Sequence, residues 1–306
     1  MLKYIVARVL SVIPILFIVS ILVFLMVHFI PGDPVINMLG LKAPPEAVEA
    51  TRERLGLNEP LHVQYANFIS NIVKGDFGVS IRTKKPVLTE IQDRYQYTLI
   101  LAVGGTIVAA VVGIVVGIIS AVKQNKFWDN FLMVLSLLSV STPSFFLALI
   151  FILVFSLFLG WFPSIGMYSW RHYILPIFAL GMQSVGLIAR MTRSAMLEVL
   201  REDYIRTAMA KGVPRFYVIY SHALRNALIP VVTILGLRFG GLLAGSALIE
   251  SVFAIPGIGR LMIDAVLTRD YPVIQTTVLF ISVTFVLINM IVDILYKLID
   301  PRIQYK

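Results

Sequence analysis

Long apolar runs separated by short charged stretches set the pattern of this chain. Uncharged or nearly uncharged segments occupy residues 9–32, 98–122, 130–160, 172–189, 226–250 and 271–292, with Arg238 interrupting the fifth. Each reaches the roughly 18 to 20 residues that a helix needs to cross about 30 Å of hydrocarbon. Backbone in lipid must satisfy its own hydrogen bonds, so the six runs predict six transmembrane helices. The first is too long for the apolar part of a signal peptide, and no small-x-small cleavage site follows it. It reads as a retained span with its N-terminus inside. Thr142-Pro143-Ser144 predicts a kink or break in the third span, because proline removes a backbone hydrogen bond.

The polar stretches carry their own helical periods. In the first long loop, Pro44-Pro45 opens a charged helix reaching Arg54, and Leu61, Tyr65, Phe68, Ile69, Ile72 and Val73 form an apolar stripe ending at Gly75. Pro86 begins a third loop helix with Val87, Leu88 and Ile91 on one side. Residues 195–226 read as a helical hairpin. Its first helix runs from about Ala195 to a stop at Gly212 with Lys211 in the last turn, and Pro214 stands in the first turn of the second. On that second helix Phe216, Ile219, Tyr220, Ala223 and Leu224 share one apolar face, leaving Arg215, Ser221, Arg225 and Asn226 off it. A basic hairpin held between spans suits contact with another protein. After the fifth span, Pro256, Gly257 and Gly259 indicate a tight outer loop, read either as packing or as a gate.

Composition agrees with the spans: of 306 residues, 58% are apolar and 14% charged, and mean hydropathy is +0.88. The formal charge of +9 points to cytoplasmic loops rather than nucleic acid once its positions are read. With the N-terminus inside, fourteen of the 26 lysines and arginines fall at the predicted inner ends and only Arg171, Arg260 and Arg269 in the short outer loops. Both termini are therefore expected in the cytoplasm. The absence of cysteine excludes disulfides, thiolate metal sites and a cysteine nucleophile. No GxxxxGK[ST] loop, HExxH pair or GxSxG elbow occurs, and His28, His62, His172 and His222 stand singly, so no catalytic or metal site is expected.

Two features within the spans carry further meaning. Ala109, Gly113, Gly117 and Ala121 make a small-xxx-small face on the second span, as do Gly236, Gly240 and Ala244, with Gly241 and Gly245, on the fifth. Such faces let helices approach closely in lipid, and they suit a bundle pairing with a second, similar subunit. Arg238 is a costly charge inside a span. It reads either as a structural ion pair or carbonyl contact, or as a residue of a translocation path that meets a substrate carboxylate.

The hairpin resembles the cytoplasmic coupling loop (the EAA loop) of membrane subunits of binding-protein-dependent ABC importers. In the general motif three residues separate an E-A-A triplet from the Gly that follows, with I-x-L-P further on. Here Arg206, Thr207 and Ala208 hold the triplet, Gly212 the glycine, and His222, Ala223, Leu224 and Arg225 the I-x-L-P positions. The first two triplet residues, the Ile and the Pro thus depart from the general form. RTA-x-A-K-G followed by HALRNALIP is, however, similar to the dipeptide, oligopeptide, glutathione and nickel branch. So are HFIPGDP (28–34), RLGLNEP (54–60), KGDFGVS (74–80) and the ending YKLIDPRIQYK, while the short 160–176 segment looks more like the glutathione type.

The resemblance implies an all-α polytopic permease of the type I ABC importer fold, the first of a pair. Its expected parts are an N-terminal span (1–32), an extracellular helical loop (33–97), a five-helix transport core (98–298) containing the coupling loop 195–226, and a cytoplasmic tail (299–306). It implies a second permease, two ATPase subunits that bind ATP and magnesium, and an extracellular solute-binding protein docking on the outer loop. This chain itself would hold no cofactor, perform no catalysis and bind no nucleic acid. Arg206, Thr207, Ala208, Ala210, Lys211, Gly212, Pro214, Phe216, His222, Leu224 and Arg225 are the expected ATPase-coupling residues, and Arg238 and Glu250 the candidate path residues. The expected cargo is a di- or oligopeptide, with glutathione or a nickel chelate as alternatives. An ion-driven carrier, the reading from another class, would place several acids inside its spans, where this chain has almost none apart from Asp293 near one end.

Overall fold

The computed structural model describes residues 2–29, 34–40, 42–54 and 56–299. Thirteen α-helices follow one another there. The first five are α1 (Leu2–Phe29), α2 (Pro34–Leu39), α3 (Pro45–Arg54), α4 (Leu61–Val73) and α5 (Val87–Val122). Next come α6 (Phe127–Ser141) and α7 (Ser144–Phe151), the latter continued by a π-helical stretch Ile152–Phe158, then α8 (Ile174–Val199) and α9 (Asp203–Ala210). Last are α10 (Arg215–Tyr217), a second π-helical stretch Val218–Ala223, α11 (Leu224–Val252), α12 (Ile258–Thr268) and α13 (Tyr271–Ile299).

Among the described residues five helices are long and apolar enough to cross a membrane, and α6 with α7 supplies a sixth span if the two count as one, bent by 108°. The break falls at the expected proline. Pro143 is extended (ψ 140°) ahead of α7, and Thr142 closes α6 by bonding the Leu138 carbonyl through both its amide and, at 2.7 Å, its hydroxyl. The α3 and α4 boundaries follow the loop reading, with Gly75 just past the end of α4. The third loop helix does not stand apart: it is the start of the 36-residue α5, about 54 Å long. Glu90, Asp93 and Arg94 end the lipid-soluble run, but charge does not end a helix, and no Gly or Pro intervenes before the span begins.

The chain divides into two compact units, Met1–Gln96 with Pro256–Val286, and Tyr97–Ile255 with Leu287–Lys306. In the first, Val87, Ile91, Ile258, Leu261, Ala265, Val273 and Ile274 form the core, with Tyr95 edge-on to Phe280 at 5.3 Å. The buried Asp270 carboxylate accepts from the Ser80 hydroxyl (2.6 Å) and from the Ile81 and Arg82 amides (3.1 and 3.2 Å). The KGDFGVS and RDYP segments are thereby fixed to each other, which their sequences did not foretell. The helix inside the outer loop after the fifth span, α12, opens after Gly257 and closes on Arg269 in a left-handed conformation (φ 52°).

In the second unit α8 packs against α5, α6, α7 and α11. Glycine permits the closest of these approaches. A Cβ at Gly113 would stand 2.7 Å from Ile188, and one at Gly117 2.5 Å from Thr192 and 2.7 Å from the Ala189 carbonyl oxygen. The small face of the second span is thus occupied by α8 of the same chain rather than left for another subunit. Gly236 on α11 meets Val292, while Gly241 faces open space. The side chain of Ala244, with Gly245, lies outside the described residues.

Candidate functional site

The hairpin joins the end of α8 to the start of α11. The first arm does not run unbroken from Ala195: α8 stops at Val199, a turn through Leu200 and Arg201 follows, and α9 starts at Asp203. Glu202 is extended (ψ 147°), and its carbonyl accepts from the Ile205 and Arg206 amides, so helix restarts in a new direction. Asp203 in the first turn complements the helix dipole.

At the far end α9 closes in a Schellman motif. The Gly212 amide bonds the Met209 carbonyl at 3.0 Å, and the Val213 amide bonds the Ala208 carbonyl at 3.2 Å. This geometry requires the left-handed φ of +78° seen at Gly212. Nothing lies within 4 Å of where a Cβ would be, so the demand for glycine is conformational rather than steric. Pro214 precedes the first helical residue, one position earlier than expected, with its ψ at 138°.

The second arm departs from the expected apolar face. Residues 218–223 form a π-helical stretch with its wider turn, which brings Val218 and Ala223, five apart, to the same buried side. Val218, Ile219 and Ala223 pack with Ile205, Ala195, Met196, Ile118, Ala121 and Ala227 in a core beneath the hairpin. Full burial of each Val or Ile contributes about 1.5–3 kcal/mol, so the hairpin is anchored and not a free loop. Phe216 and Tyr220, assigned to that face from the 3.6-residue period, are instead 65% and 46% exposed and lie against each other with ring centroids 4.5 Å apart and planes tilted by 39°. Tyr217 joins them edge-on at 5.9 Å from Phe216, and Asn226 bridges to the Tyr204 hydroxyl at 2.7 Å, tying the two arms.

Of the residues carried over from the coupling-loop resemblance, Arg206, Thr207, Ala210, Lys211, Gly212, Pro214, Phe216, His222 and Arg225 are all exposed on the hairpin. Ala208 and Leu224 are half-buried and pack against its core. Arg206 makes only a surface pair with Asp203 at 3.6 Å, of small energetic weight. The hairpin therefore presents aromatic rings beside cations on a fixed base, a surface fit to seat a protein partner.

The sequence reading missed what braces this base. Arg193, near the end of α8, donates from Nε and Nη2 to the two Asp129 carboxylate oxygens, each at 2.7 Å. The Asn125 amide adds a third bond at 2.9 Å, closing the 123–126 turn in which Asn125 is left-handed (φ 60°). An acid at the border of an apolar run was the available signal.

Arg238 and Glu250 are not brought together. They lie about 18 Å apart along α11. Glu250 is fully buried and accepts from the Thr98 and Ser246 hydroxyls at 2.7 and 2.8 Å, whereas Arg238 is exposed. One turn from Arg238 a cavity of about 240 Å³ is lined by Thr106, Val232, Thr233, Gly236, Phe239 and Val292 among others. Both threonine hydroxyls there bond backbone carbonyls of their own helices, which leaves the cavity apolar.

Comparison with known proteins places these observations. Residues 113–305 match the family described as "Binding-protein-dependent transport system inner membrane component", and residues 1–102 match the corresponding N-terminal family. The chain is 48% identical, over 100% of both sequences, to the "Glutathione transport system permease protein GsiC" of Escherichia coli (strain K12) and to the protein of the same name from Shigella flexneri serotype 5b (strain 8401). Among solved structures it resembles an inward-facing crystal form of the MetNI methionine ABC transporter, at TM-score 0.60 and 20% identity over 70% of this chain and 98% of that one. It also resembles an amino acid ABC transporter crystallised with histidines, at TM-score 0.52 and 16% identity over 71% and 95%. The fold is that of type I ABC importer permeases.

Proposed function

This chain belongs to the family of binding-protein-dependent transport system inner membrane components, and from that membership we propose that it moves short peptides of the glutathione kind. It is a permease subunit of an ABC importer, a polytopic inner-membrane protein and not an enzyme. The observation that carries the substrate class is the 48% identity, without gaps in coverage, to a glutathione permease. That favours the glutathione alternative over general di- and oligopeptides; both offer a terminal carboxylate, an ammonium and amides, and the γ-linked tripeptide adds a second free backbone carboxylate.

In this reading a second permease completes the path, an external binding protein delivers the cargo, and two ATPases that bind ATP and magnesium engage the exposed hairpin. Both termini face the cytoplasm, as the distribution of lysine and arginine supports. Closure of the ATPases would push on Phe216, Tyr217, Tyr220 and the neighbouring cations, and α8 and α11 would carry the displacement between two access states. A tagged pull-down from mild detergent with mass spectrometry tests the assembly. Recovery of an ATPase and a second permease supports it. Recovery of this chain alone, moving solute in liposomes, would make a secondary carrier the better account.

Two residues give sharper tests. Gly212→Val is expected to strain the Schellman corner by about 1–2 kcal/mol and to lower uptake per ATP hydrolysed, with membrane levels retained. Because the requirement is φ and not space, Gly212→Asn should be milder; equal coupling in the Val variant and wild type would refute the role. For Arg238, we assign contact with a substrate carboxylate in the path. Arg238→Gln should reduce uptake of anionic peptide about tenfold or more while levels hold, and unchanged uptake would sink the assignment.

A further inference from the structure

Beneath the hairpin lies a second cavity, of about 320 Å³, that the coupling role leaves unused. Its walls come from the end of α5 (Ala121, Val122), the end of α8 (Leu197, Leu200) and both hairpin arms (Met209, Ile219). Arg201 and Arg215 also line it, with Gln124 as the remaining polar side chain. Apolar walls with two guanidiniums make an amphiphilic vessel. Neither arginine pairs with a carboxylate among the described residues.

The placement of these groups narrows the occupant. Ala121 and Val122 end an apolar span, and Gln124 sits in the polar turn that follows. Leu197 likewise lies in the last turn of a span, and Leu200 and Arg201 stand in the turn beyond. The cavity therefore straddles the level at which hydrocarbon gives way to headgroup. Guanidinium is the side chain suited to phosphate oxygens through paired N–H bonds, and basic pockets between helices at this depth on the cytoplasmic side suit anionic lipid headgroups.

We propose that this cavity is a binding site for the headgroup of an anionic phospholipid of the cytoplasmic leaflet. Arg201 and Arg215 hold the phosphate, and the apolar walls take the first methylenes of the acyl chains. The lipid would wedge between the hairpin arms and the ends of α5 and α8, tying the hairpin's position to the leaflet's composition. The side of the membrane rests on the permease reading given above; the ligand chemistry does not.

The test uses the full chain, purified in mild detergent and placed in nanodiscs of equal phosphatidylglycerol and phosphatidylcholine, with retained lipid counted by native mass spectrometry. Wild type should retain phosphatidylglycerol preferentially. Arg201→Gln with Arg215→Gln should lose that preference by roughly 10- to 30-fold, and the double Lys variant should keep most of it, showing that fold is not the cause. An excess of inorganic phosphate should not displace the lipid; displacement without loss of binding at the arginines would assign the site to free phosphate and overturn the lipid. Unchanged retention in the Gln variant would also overturn it. So would a Gln variant that keeps its lipid yet no longer recovers the ATPase, since the cavity would then serve that protein. Wild type failing to recover an ATPase while still retaining the lipid speaks against the permease reading alone.

Discussion

Arg193→Leu is expected to cost the protein about 3–5 kcal/mol of stability, the range for breaking one side of a buried ion pair. The magnitude follows from what is left behind. The Asp129 side chain is 1% exposed, against 26% for Arg193. Without the guanidinium, the Asn125 amide is the one donor left to the carboxylate among the described residues. An isolated buried carboxylate is far costlier than an isolated arginine that reaches water. Asp129→Leu should therefore cost less than Arg193→Leu, and the double variant less than the sum of the singles, because it removes the stranded charge altogether. Unfolding in mixed detergent with increasing dodecyl sulfate, followed by circular dichroism, gives the ordering. If Arg193→Leu unfolds with wild type, the pair is not the brace described.

Gly186→Leu is expected to be still more damaging, abolishing recovery of folded protein. At this position on α8 a Cβ would run into the Ser136 carbonyl oxygen and approach Val140 Cγ2 at 2.6 Å and Ser139 Oγ at 2.8 Å. One obstacle is backbone, which cannot rotate away, so α6 and α8 would have to separate along their contact. Ordinary overpacking costs about 1–3 kcal/mol; separating two helices forfeits their dispersion contacts as well, and the total should exceed about 4 kcal/mol. Gly241→Leu, with open space around its Cβ position, is the control and should leave the chain's own stability nearly unchanged. Membrane abundance together with size-exclusion profiles in detergent reads both. A monodisperse Gly186→Leu variant at wild-type levels would contradict the packing argument.

Much of this protein is legible in its sequence because the bilayer constrains length. Runs long enough to cross hydrocarbon became helices α1, α5, α8, α11 and α13, and Pro143 broke the third span where it was expected to. Gly212 was legible as well, since a glycine just past a lysine-ended helix signals a left-handed cap. Other features depend on contacts that periodicity does not encode. The Asp129–Arg193 pair joins residues 64 positions apart, and nothing local to either names the other. Asp270 reaches Ser80 across 190 positions in the same way. The small face of α5 announced close packing but not its partner, which is α8. The π-helical stretch at 218–223 changed which side of the second arm is buried, because the expected face assumed one constant turn. The break at 200–202 escaped notice for a related reason: it contains neither glycine nor proline, and the extended Glu202 marks it only in three dimensions.

The helix that starts at Arg215 runs through its π-helical stretch to Val252, so hairpin arm and span are one lever. Its far end is pinned to α5 where Glu250 accepts from Thr98, and the pin lies about 50 Å from Arg215. A lever that long has a high gear ratio. Tilting it by about 10° around the Glu250 pin would sweep the Phe216 end through about 9 Å, while Arg238, about 18 Å from the pin, would travel roughly a third as far. In the proposed coupling, a coarse stroke at the hairpin would thereby be geared down to a fine adjustment inside the membrane.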